Sequence, residues 1–242
     1  MSITMLYHLV LYKPIFNALI FLYNIIPGHS LILAITILTI LIKLVLMPLS
    51  AYSLKSQRAI QELQPKLEEL KKKFKDDKQA LAKATMELYK ESKVNPASSC
   101  LPLLIQFPFL IAVYQVFRSG LTNANFADLY SFVANPGAID ASFFGILNLS
   151  KPSVILAVIT GLAQYVQTKM LTVKKAKPKV EGAKDENMLA DMNKSMQYFM
   201  PFMTVLIGIS FPAGLVYYWL LTTILTIVQQ KIVFKKVLPP KA

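Results

Sequence analysis

Lys43 is the residue whose chemistry most needs a physical account. It stands inside the apolar stretch 31–49, LILAITILTILIKLVLMPL, where a lysine costs roughly 2.5 to 3.5 kcal/mol near the centre of a membrane helix. Thr36 and Thr39 share its face at helical steps of 3 and 4 residues. The last apolar stretch carries Tyr218, Thr222, Thr226 and Gln229 within one arc, and Gln106 and Gln115 place two amides in another. For hydroxyls and amides alone, hydrogen bonding between helices is the ordinary reason to be there. Lys43 differs because all 13 acids of the chain lie in its polar segments. A cation among apolar residues, with no acid to pair with, implies a water-filled recess or an anionic group that arrives from outside the chain. Snorkelling is the competing explanation, since Lys43 lies about 9 Å from the inner end of its stretch and about 18 Å from the outer end. The polar face reaching back to Thr36 goes deeper than snorkelling requires.

Other chemistry has little raw material. The single cysteine, Cys100, excludes a disulfide framework and a multi-thiolate zinc site, and the two histidines, His8 and His29, stand far apart. No HExxH, GxSxG or phosphate-loop pattern occurs, and no carboxylate pair sits in an apolar stretch. No catalytic residue, no metal and no cofactor are expected, and the chain is not expected to be an enzyme.

The composition explains where such a lysine can reside. With 242 residues, 55% of them hydrophobic and only 16% charged, the chain departs from soluble proteins. Its apolar residues are clumped into long runs, as in membrane proteins. The net charge of +13 first suggests nucleic acid, but its distribution argues otherwise. Of 26 basic residues, 11 fall in 50–100, 7 in 169–194 and 4 in 231–242, leaving Lys13, Lys43, Arg118 and Lys151. Basic residues gathered in alternate polar segments are the positive-inside pattern, which assigns those three segments to the cytoplasm.

The fold class expected is therefore all-α: a polytopic membrane protein with a five-helix core, an N-terminal interfacial helix and a cytoplasmic helical hairpin. The boundaries are an interfacial amphipathic region at 1–28, a first span at 29–54, the hairpin at 55–96, a second span at 97–120 and an outer loop at 121–151. A third span at 152–173, a flexible cytoplasmic loop at 174–194, fourth and fifth spans at 195–232 and a basic tail at 233–242 complete the chain. The apolar run 14–26 is short for a crossing and is expected to lie in the outer interface. A sixth span with an inside N-terminus is the alternative. The short turn Phe211-Pro212-Ala213-Gly214 predicts that the fourth and fifth helices form an antiparallel pair. Five crossings place the N-terminal side outside and the C-terminus inside, in agreement with the charge.

In the hairpin, Ile60, Leu63, Leu67, Leu70 and Phe74 step by 3, 4, 3, 4 and form a seam. Leu81, Ala84, Thr85 and Leu88 begin a weaker second stripe after Lys75-Asp76-Asp77-Lys78, and Pro65 is expected to bend the first helix. A solvated charged hairpin and a docking surface for a macromolecule are both compatible with these residues. Residues 174–191, with Pro178, Gly182 and few apolar positions, predict a flexible loop.

Several stretches carry a resemblance. Thr39-Ile-Leu-Ile-Lys43 with Met47-Pro48-Leu49, Leu63-Gln64-Pro65-Lys66, Met86-Glu-Leu-Tyr-Lys90, Lys93-Val94-Asn95-Pro96, Cys100-Leu-Pro-Leu-Leu-Ile-Gln106-Phe-Pro108, and Phe211-Pro-Ala-Gly-Leu-Val-Tyr-Tyr218-Trp219 with Gln229-Gln230 stand in this order. By this set the chain resembles the YidC/Oxa/Alb family of membrane protein insertases over nearly its whole length. The resemblance implies a groove open to the cytoplasm and to lipid but closed outside, in which a basic residue receives polar or acidic parts of a nascent chain. Lys43 occupies that position, where the family usually has arginine; it keeps the charge and loses the bidentate fork. By the same match Thr36, Thr39, Gln106, Tyr218, Trp219 and Thr222 line the substrate path. Pro65, Lys66, Lys71, Lys72 and Lys73 belong to a hairpin that helps recruit the substrate.

The resemblance implies a bacterial cytoplasmic (inner) membrane location. The sequence shows no large outer domain, no Cys-bearing lipoprotein signal and no arginine-rich transit peptide, so a short bacterial form is expected. Nascent membrane proteins and the bilayer are the implied partners, with the ribosome, the signal recognition particle pathway and the Sec translocon as further candidates. No DNA and no small-molecule cofactor are expected. Lys231, Lys235, Lys236 and Lys241 form a basic tail suited to ribosomal RNA or to anionic lipid. Two other classes are a transporter of small anionic solutes, which should show repeated halves with broken helices, and a membrane scaffold that uses only its hairpin.

Overall fold

The computed structural model describes residues 2–74, 77–95, 101–120, 126–143, 146–171 and 186–237. Cys100, Lys75, Asp76, Pro96, Pro178, Gly182, Lys241 and positions 174–185 of the expected loop lie outside the described residues.

The chain begins as one unbroken helical run made of α1 (Ile3–Tyr7), a π-helical turn (His8–Tyr12) and α2 (Lys13–Ile25). The stretch Thr4–Ile25 is long and apolar enough to cross a membrane, which corrects the short helix read from residues 14–26. His8, Tyr12 and Lys13 interrupt the apolar pattern without interrupting the backbone. Ile15, Phe16, Leu19, Ile20, Leu22 and Tyr23 are buried along one side of α2, and the helix packs on α3 (Leu31–Val45). Gly28, at φ +76°, turns the chain between them, a conformation that glycine adopts without steric cost.

The apolar stretch 31–49 is not one straight helix. It breaks at Leu46, and α4 (Met47–Glu62) leaves at 66° to α3. Pro48 is the physical reason: it has no N–H for the Leu44 carbonyl, and its ring crowds that carbonyl. As a result Lys43 stands in the last turn of α3, at the carbonyl end of the helix dipole, where a cation is favoured.

α4 is followed at once by α5 (Gln64–Lys73), and Pro65 lies in the first turn of α5. It therefore starts a new helix, where a missing N–H is harmless, instead of bending an existing one. Leu63 and Leu67 are buried, and α5 contacts α6 (Lys78–Glu91). The Asp77 side chain accepts from Gln79 N at 3.0 Å and Ala80 N at 2.9 Å, which caps the start of α6.

α7 (Leu101–Gln115) contains Pro108 and continues as a π-helical turn, Val116–Gly120. After a 3-10 turn (Phe126–Asp128) the chain forms a small antiparallel pair, β1 (Ser142–Phe143) and β2 (Leu147–Asn148). α8 (Val154–Leu171), α9 (Glu186–Gly208) and α10 (Ala213–Val237) complete the fold. Two differences from the sequence reading stand out. α9 starts at Glu186, so residues 186–194 are helical where a loop was expected, and α10 runs through Val237 into the expected tail.

A further difference concerns packing. α9 and α10 adjoin in sequence, yet among the described residues α8 packs on both of them while they scarcely touch each other. The small residues of α8 explain it: Gly161 lies against Val205, and Ala157 lies against Gly208. Close backbone approach there holds α8 to α9 more effectively than the turn holds α9 to α10. The core joins α2, α3, α7, α8 and α10, with Phe16, Phe117 and Tyr218 among its largest fully buried side chains.

Candidate functional site

The polar residues of α3 and α10 meet across the contact between these helices. Lys43 Nζ donates to Thr226 Oγ1 at 2.8 Å, and Thr226 Oγ1 donates to the Thr222 carbonyl one turn earlier at 2.7 Å. Further out, Thr36 and the Tyr217 hydroxyl share a hydrogen bond of 2.9 Å. α7 joins from the side, where Gln106 Nε2 donates to Tyr218 Oη at 3.0 Å. Nearer the C-terminus of α10, Gln229 Nε2 donates to the Met47 carbonyl at 3.2 Å and to Ser50 Oγ at 3.3 Å, tying α10 to the bend between α3 and α4. A ladder of hydroxyls and amides therefore runs beside Lys43, and among the described residues no carboxylate forms an ion pair with it.

The expected residues separate into two groups. Lys43, Thr36, Gln106 and Trp219 are half-buried and keep part of their surface available. Thr39, Tyr218 and Thr222 are 1%, 1% and 6% exposed. The Thr39 hydroxyl donates to the Ile35 carbonyl of its own helix at 2.6 Å. Thr39 thus faces the packed interior, and Tyr218 and Thr222 form the wall behind the polar ladder. Pro65, Lys66, Lys72 and Lys73 are exposed on the hairpin and Lys71 is half-buried there, remote in sequence and element from the ladder.

Tyr217 and Thr226 are the direct partners of the α3 residues. Thr226 belongs to the arc visible in the sequence; Tyr217 does not, because it stands one position off that arc and reaches Thr36 from the neighbouring face.

The start of α10 is tied to the segment before α8. Ala213 N donates to the Lys151 carbonyl at 2.8 Å and Gly214 N to the Leu149 carbonyl at 2.9 Å, which satisfies N–H groups that a helix start leaves without intrahelical partners. The segment 128–140 is also tied along α2. Asn17 Nδ2 donates to the Asp128 carbonyl at 2.9 Å, Tyr130 N to Asn17 Oδ1 at 2.6 Å, Asn24 Nδ2 to the Ala134 carbonyl at 2.6 Å, and Asp140 N to the Tyr23 hydroxyl at 2.9 Å.

A mostly helical, apolar bundle that holds a lysine against a ladder of hydroxyls and amides defines a helical membrane protein with polar groups inside its apolar body. Residues 21–239 match the profile of the family described as 60Kd inner membrane protein, and the chain belongs to that family. A relative from Fusobacterium nucleatum subsp. nucleatum, named membrane protein insertase YidC, is 36% identical over 204 residues, covering 84% of this chain and 86% of the relative. One from Oleidesulfovibrio alaskensis with the same name is 36% identical over 218 residues, covering 90% of this chain but 37% of the relative. A solved structure described as an active YidC insertase with its first transmembrane domain resolved superimposes with a TM-score of 0.55 at 29% identity, covering 90% of this chain and 45% of that one. The chain thus spans most of the Fusobacterium protein and under half of the longer relatives.

Proposed function

We propose that this chain is a membrane protein insertase of the bacterial inner membrane, which receives polar or acidic parts of nascent membrane proteins in the recess around Lys43 and releases their apolar spans into lipid. The observation that carries this reading is the Lys43–Thr226 contact of 2.8 Å. The lysine rests on a neutral hydroxyl, so an incoming carboxylate gains a charge-assisted partner without first displacing an internal acid.

The physical task is to move a hydrophilic segment across roughly 30 Å of hydrocarbon. A wet, cationic recess part of the way across shortens the apolar distance that remains. The substrate's own apolar span then supplies the driving force as it leaves water for lipid. The hydroxyls and amides of Thr36, Tyr217, Gln106 and Thr226 offer the passing backbone alternative hydrogen-bond partners.

In the membrane, α3, α7, α8, α9 and α10 are the crossings, with the N-terminal side outside and the hairpin and C-terminus in the cytoplasm. The α1–α2 run lies in the outer interface, a placement supported by its hydrogen bonds with the segment 128–140. The exposed Pro65, Lys66, Lys72 and Lys73, together with Lys71, form a recruiting surface for nascent chains, with the ribosome, the signal recognition particle pathway and the Sec translocon as its macromolecular context.

Site-directed photo-crosslinking tests this reading. A benzophenone amino acid at Trp219 is expected to capture the hydrophilic tail of an arrested nascent membrane protein, whereas one at Ile155, 75% exposed on α8, captures lipid. Equal capture of the tail at both positions would overturn the recess as the substrate path.

A further inference from the structure

A second feature lies apart from the Lys43 recess. An open cleft of about 220 Å³ is lined by Pro14, Asn17, Ala18 and Phe21 of α2 and by Tyr130 and Phe132 of the segment before α8. Asn17 is the polar exception in an otherwise apolar and aromatic lining, and its amide is already engaged with the Lys13, Asp128 and Tyr130 backbones. The cleft therefore presents apolar surface with its polar floor satisfied. Its walls are not covered: Phe132 is 74% exposed and Phe21 44%, and the Tyr130 and Phe132 rings stack at 5.4 Å between centroids.

A cation stands at its rim. Lys13 Nζ lies over the Tyr130 ring, 5.3 Å from the centroid, and among the described residues no carboxylate pairs with it. The acid on the same segment, Asp128, faces His8 Nε2 at 3.2 Å. An apolar, aromatic trough with an ammonium at one end is complementary to a molecule with a hydrocarbon tail and an anionic head. A free phosphate would leave the trough uncovered. Aromatic rings and a lysine at the membrane boundary are the groups that anchor protein to lipid in that zone.

We propose that this cleft binds an anionic phospholipid of the outer leaflet, with an acyl chain between Phe21 and Phe132 and the headgroup phosphate on Lys13. The assignment rests on the outer interfacial placement of α2 and is independent of what the Lys43 recess carries. Its consequence is a lipid that joins the N-terminal helix to the outer segment from the side.

The full chain, reconstituted in phosphatidylcholine vesicles doped with phosphatidylglycerol bearing a diazirine on its acyl chain, provides the test. After illumination, label should concentrate on peptides containing Phe21 and Phe132. It should fall at least fivefold in Ala18→Trp, which fills the cleft, and at least twofold in Lys13→Gln, a half-buried rim substitution that leaves the core untouched. Unlabelled phosphatidylglycerol should compete, and phosphatidylcholine should not. Label no denser there than around Ile155 of α8, insensitivity to Lys13→Gln in a protein with unchanged circular dichroism, equal competition by both lipids, or crosslinks to a second protein chain at these positions would each overturn the proposal.

Discussion

Among single residues, the way Lys43 is held decides what it can receive. Its ammonium has Thr226 as a hydroxyl partner, and the Thr226 proton is committed to the Thr222 carbonyl, so the Thr226 oxygen is oriented to accept. Thr226→Val keeps the shape and removes the acceptor, and should destabilise the protein by about 1–3 kcal/mol, read as a lower melting temperature in detergent. Thr226→Ser should restore most of the loss. Equal effects of Val and Ser would mean that packing alone matters at this position. Much of this site is legible in the sequence, because Thr36 and Lys43 on α3 and Thr222, Thr226 and Gln229 on α10 recur at helical spacing. The inward turn of Thr39 is not legible: periodicity identifies a polar face but not which edge of that face meets the core. Thr39 spends its hydroxyl on its own backbone, an option that any helical threonine has.

At the scale of elements, the close contact between α8 and α9 rests on glycine. A Cβ at Gly161 would overlap Val205 Cγ2 and fall 3.1 Å from the Pro201 carbonyl oxygen. Gly161→Ala therefore forces Val205 to shift or the two helices to separate slightly, and should cost about 1–3 kcal/mol, measurable as a reduced melting temperature. A Gly161→Ala variant as stable as wild type would contradict the packing described. The interposition of α8 between α9 and α10 was not legible because chain adjacency and a short turn favour the neighbouring pair, while the small residues that decide otherwise are scattered over two helices. The break at Leu46 was half-legible: Pro48 announces it, but an unbroken apolar run conceals it. In the N-terminal helix the reverse happened, since polar residues at 8, 12 and 13 concealed a continuous backbone helix.

For the whole molecule, the charge distribution makes one topological claim. In inside-closed proteoliposomes or intact cells carrying Cys100→Ser, a cysteine placed at Asn135 should react with an impermeant maleimide added outside. One placed at Lys72 should react only after permeabilisation. The reverse pattern would invert the orientation and, with it, the side from which the Lys43 recess is entered. The family relation was legible because long apolar runs and basic segments are determined by the bilayer itself, independently of how the helices pack.

The central claim is that the Lys43 charge, and not merely a wet recess, receives the substrate. The most direct measurement is protease-protected insertion into liposomes of two single-span substrates, one with an acidic and one with a neutral translocated tail, by wild type, Lys43→Ala and Lys43→Arg. Lys43→Ala is expected to lose at least tenfold on the acidic tail and little on the neutral one, with Lys43→Arg close to wild type on both. Equal insertion of the acidic tail by all three proteins would contradict it.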